Sequence, residues 1–272
     1  MTGPLGRKAL AVGLRGEGPA AGAGGEAPVI LLHAFPLDSR MWEPVMAELA
    51  FRGVVAHALD FPGIGVTPIW DGVEPSLDAI ADAAVETLLG GIGAKAAHWV
   101  GCSMGGYVAL AIAERHPEVV EGLGLFNTRS TADDEAAGGA RLVAAAEAES
   151  APGLADPRAR AEALVGLEGS GREGVVARAT DIIAGVSGAA IAWGLRAMAS
   201  RPDRTSVLRA FSGRVVVLAG ELDRVTTAED AAHMAAACRV GVTTIPGAGH
   251  LSPLEAPLAV ASAVEGLARP QG

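Results

Sequence analysis

Three residues of this chain, Ser103, Asp223 and His250, have the types and the chain order that nucleophilic acyl transfer requires. Ser103 is the centre of Gly101-Cys102-Ser103-Met104-Gly105, between an apolar run ending in "HWV" and the helix-like run "YVALAIAERH". A serine hydroxyl is a weak nucleophile at neutral pH and needs a base to take its proton. His250 lies in "IPGAGHLSPLEAP", a glycine-flanked loop between a strand-like and a helix-like segment. Asp223, in "LAGELDRVTT", follows the apolar run "RVVVLAG" and is the acid expected to orient that base. Glu221 and Asp230 compete for the role but sit less well at the strand end. His57, His98 and His116 lie within or at the ends of predicted core elements and are weaker bases. No histidine–acid pair has a spacing such as H-E-x-x-H, so neither a metal nor an organic cofactor is expected.

Acyl transfer also needs N–H donors for the charge that develops on the carbonyl oxygen. The Met104 N–H, directly after the serine at a predicted helix start, is one. The loop after "PVILLH" supplies the other, and there Phe35 is the donor because Pro36 has no N–H. His33 braces that loop, and Asp60 holds the loop that begins "DFPGIG". Trp42 and Trp193 are candidate linings of an apolar substrate cleft.

These residues have to be positioned by a scaffold. Aliphatic runs at 28–33, 53–60, 96–102, 119–126, 214–220 and 240–246 lack polar alternation, as strands covered on both faces do. Helix-like segments near 40–51, 76–90, 104–115, 227–238 and 254–268 alternate with them. The expected fold is therefore α/β, a mostly parallel central sheet with helices on both faces. Residues 131–211 break the alternation with Ala/Glu/Arg-rich helical stretches, too long for an ordinary loop. They predict a helical cap inserted in a core formed by 1–130 and 212–272. The Gly/Ala-rich stretch 16–27 predicts a flexible connection, without the Gly-Lys-Ser/Thr of a phosphate loop.

Composition narrows the partners. Of 272 residues, 50% are hydrophobic and 19% charged, which supports a large core. The net charge of -10 argues against nucleic acid or an anionic membrane surface. Two cysteines, Cys102 and Cys238, make no disulfide framework and suit a reducing cytoplasm. The first residues lack the apolar core of a signal peptide. The run at 182–195 is too short to span a bilayer, and 96–113 carries His98, Ser103 and several glycines. A soluble cytoplasmic protein acting on a small molecule, monomer or homodimer, is expected.

Together these segments resemble the α/β-hydrolase fold family, in particular its bacterial esterase, lactonase and cofactor-free haloperoxidase-like branch. "LLHAFPLDSRMW" is similar to the family's oxyanion loop, with Ala34 where glycine is common. "LDFPGIGVT" is similar to its D-x-x-G-x-G-x-S segment, with Thr67 for the usual serine. "VGCSMGG", "GELD" and "GAGH" match its elbow, acid and histidine blocks. The resemblance spans 28–127 and 213–266 and implies a serine hydrolase acting on an ester or lactone. Its alternatives are a thioesterase, a carbon–carbon bond hydrolase, a lyase or a non-hydrolytic binding protein. "FNTRS" and the cap length resemble 3-oxoadipate enol-lactonases. A carboxylate-bearing lactone would need an arginine in the pocket: Arg129 first, then Arg158, Arg178 and Arg196.

Overall fold

The computed structural model describes residues 12–15 and 26–269; the 1–18 and 16–27 readings fall largely outside them. Seven strands form one sheet among the described residues: β1 (Gly13–Arg15), β2 (Val29–Leu32), β3 (Ala56–Asp60), β4 (Ala97–Cys102), β5 (Val120–Phe126), β6 (Arg214–Gly220) and β7 (Val242–Ile245). Their order is β1-β3-β2-β4-β5-β6-β7, with β2 to β7 parallel and β1 antiparallel at the edge. Six of these strands are the aliphatic runs. The three-residue β1 has no counterpart among those runs, since Gly-Leu-Arg carries no strand signal of its own.

Helices cover both faces, as the unalternating strands require. α1 (Glu43–Phe51), entered through a 3-10 turn at Ser39–Trp42, packs with the C-terminal helix α11 (Pro257–Ala268) on one face. The other face carries α2 (Leu77–Glu86), α3 (Met104–Arg115) and α9 (Ala228–Cys238). The predicted 254–268 helix is divided into α10 (Ser252–Glu255) and α11 at Ala256, because Pro257 starts a new helix and cannot continue the old one.

Between β5 and β6 the chain forms α4 (Glu135–Glu149), α5 (Pro157–Leu164), α6 (Arg172–Ala184), α7 (Gly188–Ala199) and α8 (Thr205–Ala210), with no strand. α4 packs on α7 and α5 on α6, whereas α8 returns to the sheet flank against α3 and α9. No single described helix is long and apolar enough to cross a membrane.

Strand order decides where a site can form. β3 lies on one side of β2 and β4 on the other, so the chain reverses direction across the sheet between β2 and β4. Loops leaving the carboxyl ends of two such strands diverge and open a crevice. Those loops begin at His33 and Ser103.

Candidate active site

Ser103 occupies a turn that only its neighbours' lack of side chains allows. Its backbone has φ 54° and ψ -115°, a conformation that costs about 1–3 kcal/mol in a non-glycine residue. A Cβ on Gly101 would strike the Gly105 carbonyl, and one on Gly105 would strike the Leu32 carbonyl of β2. One on Gly106 would enter the Thr128 side chain. The "GCSMGG" pattern thus lets α3 start hard against β2 and β4. The turn is then tied down: the Ser103 N–H donates to the Phe126 carbonyl (3.0 Å), while its own carbonyl accepts from Gly106 N (2.9 Å) and Thr128 Oγ1 (2.7 Å).

The Met104 N–H heads α3, and the Phe35 N–H lies in the loop after β2. Neither N–H has a hydrogen-bond acceptor among the described residues. That loop is braced by His33, which is fully buried. The Phe61 N–H donates to His33 Nε2 (3.0 Å), so the proton is on Nδ1, which donates to the Ala34 carbonyl (3.0 Å). Burial pushes the His33 pKa down and keeps it neutral, against the pull of Asp60. Asp60, also buried, accepts from Ser39 N (2.7 Å) and Val66 N (3.0 Å), joining the loops after β2 and β3.

His250 and Asp223 meet, although they leave different strands. His250 Nδ1 is 3.0 Å and 2.9 Å from the two carboxylate oxygens of Asp223, and both side chains are 1% exposed. An ionised carboxylate can only accept, so Nδ1 carries a proton and donates it to Asp223. Burial alone would raise the Asp223 pKa. Hydrogen bonds from His250, Thr226 and Asn127, with the charge on His250, outweigh it and hold the carboxyl well below the usual carboxylate range. Val225 N (2.8 Å) and Thr226 N (3.1 Å) also donate to it. Of the competing acids, Glu221 accepts from Gly247 N and Asp230 closes a capping box with Thr227 on α9.

Several site residues had no local signal. Asn127 follows β5 at φ 47° and donates to Asp223 (2.9 Å) and the Gly249 carbonyl (3.0 Å), while its oxygen accepts from Ser252 Oγ (2.6 Å). Its sequence clue is an asparagine at a strand end, a residue that tolerates positive φ. Glu255 accepts four backbone N–H groups, two of them in the histidine loop. Cys102, beside the serine, is fully buried: burial pushes its thiol pKa well up, and its Sγ lies 3.6 Å from the His250 carbonyl.

The candidate substrate residues fare differently. Trp42 is fully buried in the apolar cluster on the α1/α11 face, so it has no surface to line an open cleft. Trp193 is 6% exposed and packs edge-on to Trp70, with ring centroids 5.8 Å apart. Its neighbour Gly194 lets the Phe35 ring approach α7. Arg129 donates to the Val225 carbonyl (2.7 Å) and faces Asp230 (3.5 Å), which braces the Asp223 loop. Arg158, Arg178 and Arg196 pair with Glu173, Glu43 and Glu149.

Comparison with known proteins places this arrangement in a family. Over 100 residues the chain is 34% identical to a pimeloyl-[acyl-carrier protein] methyl ester esterase of Aeromonas hydrophila, covering 36% of this chain and 37% of that one. The same-named protein of Klebsiella pneumoniae is 32% identical over 99 residues, with 36% and 35% covered. The matched part thus spans about a third of these relatives' length. Among solved structures, a malate-bound thermophilic esterase from Thermogutta terrifontis superposes with a TM-score of 0.84 at 30% identity, covering 93% of this chain and 92% of that one. An enol-lactonase from Burkholderia xenovorans shares the fold at TM-score 0.70 and 22% identity, covering 93% and 94%. Residues 29–263 match the model described as the alpha/beta hydrolase family, and the chain belongs to that family.

Proposed function

We propose that this chain is a serine hydrolase that cleaves a carboxylic ester or lactone through an acyl-enzyme on Ser103. The observation that carries the reading is the buried His250–Asp223 pair, 2.9 Å at its shorter contact, on the same strand-end rim as the strained serine. His250 Nε2 takes the Ser103 proton as the oxygen attacks the carbonyl. Asp223 fixes the imidazole orientation and stabilises the imidazolium that forms. The Phe35 and Met104 N–H groups hold the tetrahedral oxyanion, and losing one such donor costs on the order of 10²–10³ in turnover. His250 then returns its proton to the leaving oxygen and activates the water that frees the acid.

The ester assignment draws support from the esterase names of the 34%-identical relative and the 30%-identical structure. The pimeloyl group is a property of that relative and is not carried over. In this reading residues 131–211 act as a cap that selects the acyl group, with Trp193 and Phe35 at its junction. The enzyme works in the cytoplasm on a small-molecule substrate.

Fluorophosphonate labelling tests the chemistry directly. Wild type should be labelled and should hydrolyse p-nitrophenyl esters or lactones, while Ser103→Ala should do neither. Equal labelling of both would sink the mechanism. A panel adding thioesters and carbon–carbon substrates separates the other reactions open to the same residues.

A further inference from the structure

Glu255 lies outside the groups that would touch substrate, yet it sits where the histidine loop meets the inserted helices. Its Oε2 accepts three backbone N–H groups: Gly249 (2.8 Å), Gly166 (2.9 Å) and Leu167 (2.7 Å). Its Oε1 accepts a fourth, from Leu251 (2.8 Å). Gly249 and Leu251 flank His250, while Gly166 and Leu167 follow α5 in the insertion. The strap is closed from the other side, because the His250 N–H donates to the Leu164 carbonyl (3.0 Å). Contact there is close enough that a Cβ on Gly166 would overlap Gly249, and one on Gly249 would overlap Gly166.

We infer that Glu255 is a positioning residue for His250: by gathering Gly249, Leu251, Gly166 and Leu167 on one carboxylate, it makes the inserted segment 164–167 part of the frame that aims the imidazole. The inference rests on the hydrolase reading above. A carboxylate suits the task because it only accepts, and both oxygens can take more than one N–H. A glutamine offers one accepting oxygen, and its NH₂ would face an N–H donor. Glu255→Gln therefore keeps the size and volume of the side chain but loses either the Leu251 bond or the three bonds from Gly249, Gly166 and Leu167, and in both cases a bond to the histidine loop. Imidazole aim is a matter of fractions of an ångström, so the cost falls on turnover. Glu255 also lies near enough for its charge to help keep the Cys102 thiol, next to the nucleophile, protonated.

The test compares wild type, Ser103→Ala and Glu255→Gln on one p-nitrophenyl ester, with fluorophosphonate labelling rates and the downfield NMR signal of the His250 Nδ1 proton. Glu255→Gln is expected to lose about 10- to 100-fold in kcat, with an equal loss in labelling rate and an unchanged KM. Its Nδ1 proton signal should shift or broaden. Wild-type kcat, a loss confined to KM, or an unaltered Nδ1 signal would each overturn the inference. If Glu255→Gln does not accumulate as folded protein, Leu167→Pro removes one of the four donors from the insertion side. It should lower kcat in the same sense, and a folded Leu167→Pro with wild-type kcat overturns the inference. An active Ser103→Ala would instead remove the hydrolase reading itself, whereas an inert Ser103→Ala beside a wild-type-like Glu255→Gln removes only the role of Glu255.

Discussion

At the Ser103 turn, position is set by side chains that are missing; at the His250 loop, it is set by hydrogen bonds gathered from far along the chain. Gly101, Gly105 and Gly106 let α3, β2, β4 and the Thr128 side chain approach so closely that the serine has one place to go. His250 is instead held by Asp223, by Asn127 through the Gly249 carbonyl, by Glu255 and by the Leu164 carbonyl. Steric construction leaves no room to yield, whereas polar construction can loosen one hydrogen bond at a time. The two regions should therefore fail differently when cut: the first by losing the fold, the second by losing turnover.

The largest expected effect is on the polar side. Asp223→Asn keeps the shape but turns a carboxylate that only accepts into an amide that can donate, so the imidazole is free to take the wrong tautomer. On the proposed mechanism turnover should fall by about 10⁴-fold, the size of the loss known for the corresponding change in a Ser-His-Asp triad. Circular dichroism should still show the wild-type fold. Full activity would move the acid role to another carboxylate and dissolve the comparison.

Next in size is the steric side. Gly105→Ala puts a methyl group against the Leu32 carbonyl, which is backbone of a central strand and has no way to yield. Overpacking of this kind costs about 3 kcal/mol, or roughly 6–12 °C in Tm for a chain of this size. A thermal melt checks it. A variant that melts like wild type and loses only activity would mean that the elbow, too, is held by something other than close packing.

The same contrast explains what could be read from the sequence. The glycine spacing around Ser103 was legible because the serine and its three glycines fall within six residues, although the Leu32 backbone and Thr128 side chain they admit lie elsewhere in the chain, and strands β2 to β6 were legible because burial on both faces removes polar alternation. Asp223 and His250 were legible through chain order and loop position. Asn127 and Glu255 were not: the groups they join lie 96 and 122 residues away for Asn127, and 88 and 89 for the insertion side of Glu255. No periodicity encodes such a meeting. Trp42 could not be placed from sequence because a large aromatic near the loop after β2 looks the same whether it faces a cleft or the core; here it is fully buried. The helices at 131–211 were legible as helices, but their Ala- and Gly-rich faces gave no stripe from which to read that α8 would return to the sheet.

The smallest effect sharpens the comparison by separating charge from shape. Asp223 has its pKa depressed in the folded chain, because burial, which would raise it, is outweighed by the hydrogen bonds and the charge of His250. A depressed carboxylate contributes stability that is fully present above its unfolded value of about 4 and is lost as pH falls through that value toward the folded one. Asp223→Asn has no such group. The difference in thermal stability between wild type and Asp223→Asn should therefore be largest near neutral pH and shrink as the buffer is taken from pH 6 to about 3. Gly105→Ala, whose defect is a steric overlap, should keep the same deficit against wild type across that range. Melts of the three proteins in a common buffer series read this out. A Gly105→Ala deficit that shrank with acid as the Asp223→Asn deficit does would show that the two regions share one electrostatic frame, and that the division between packed and hydrogen-bonded halves had been drawn in the wrong place.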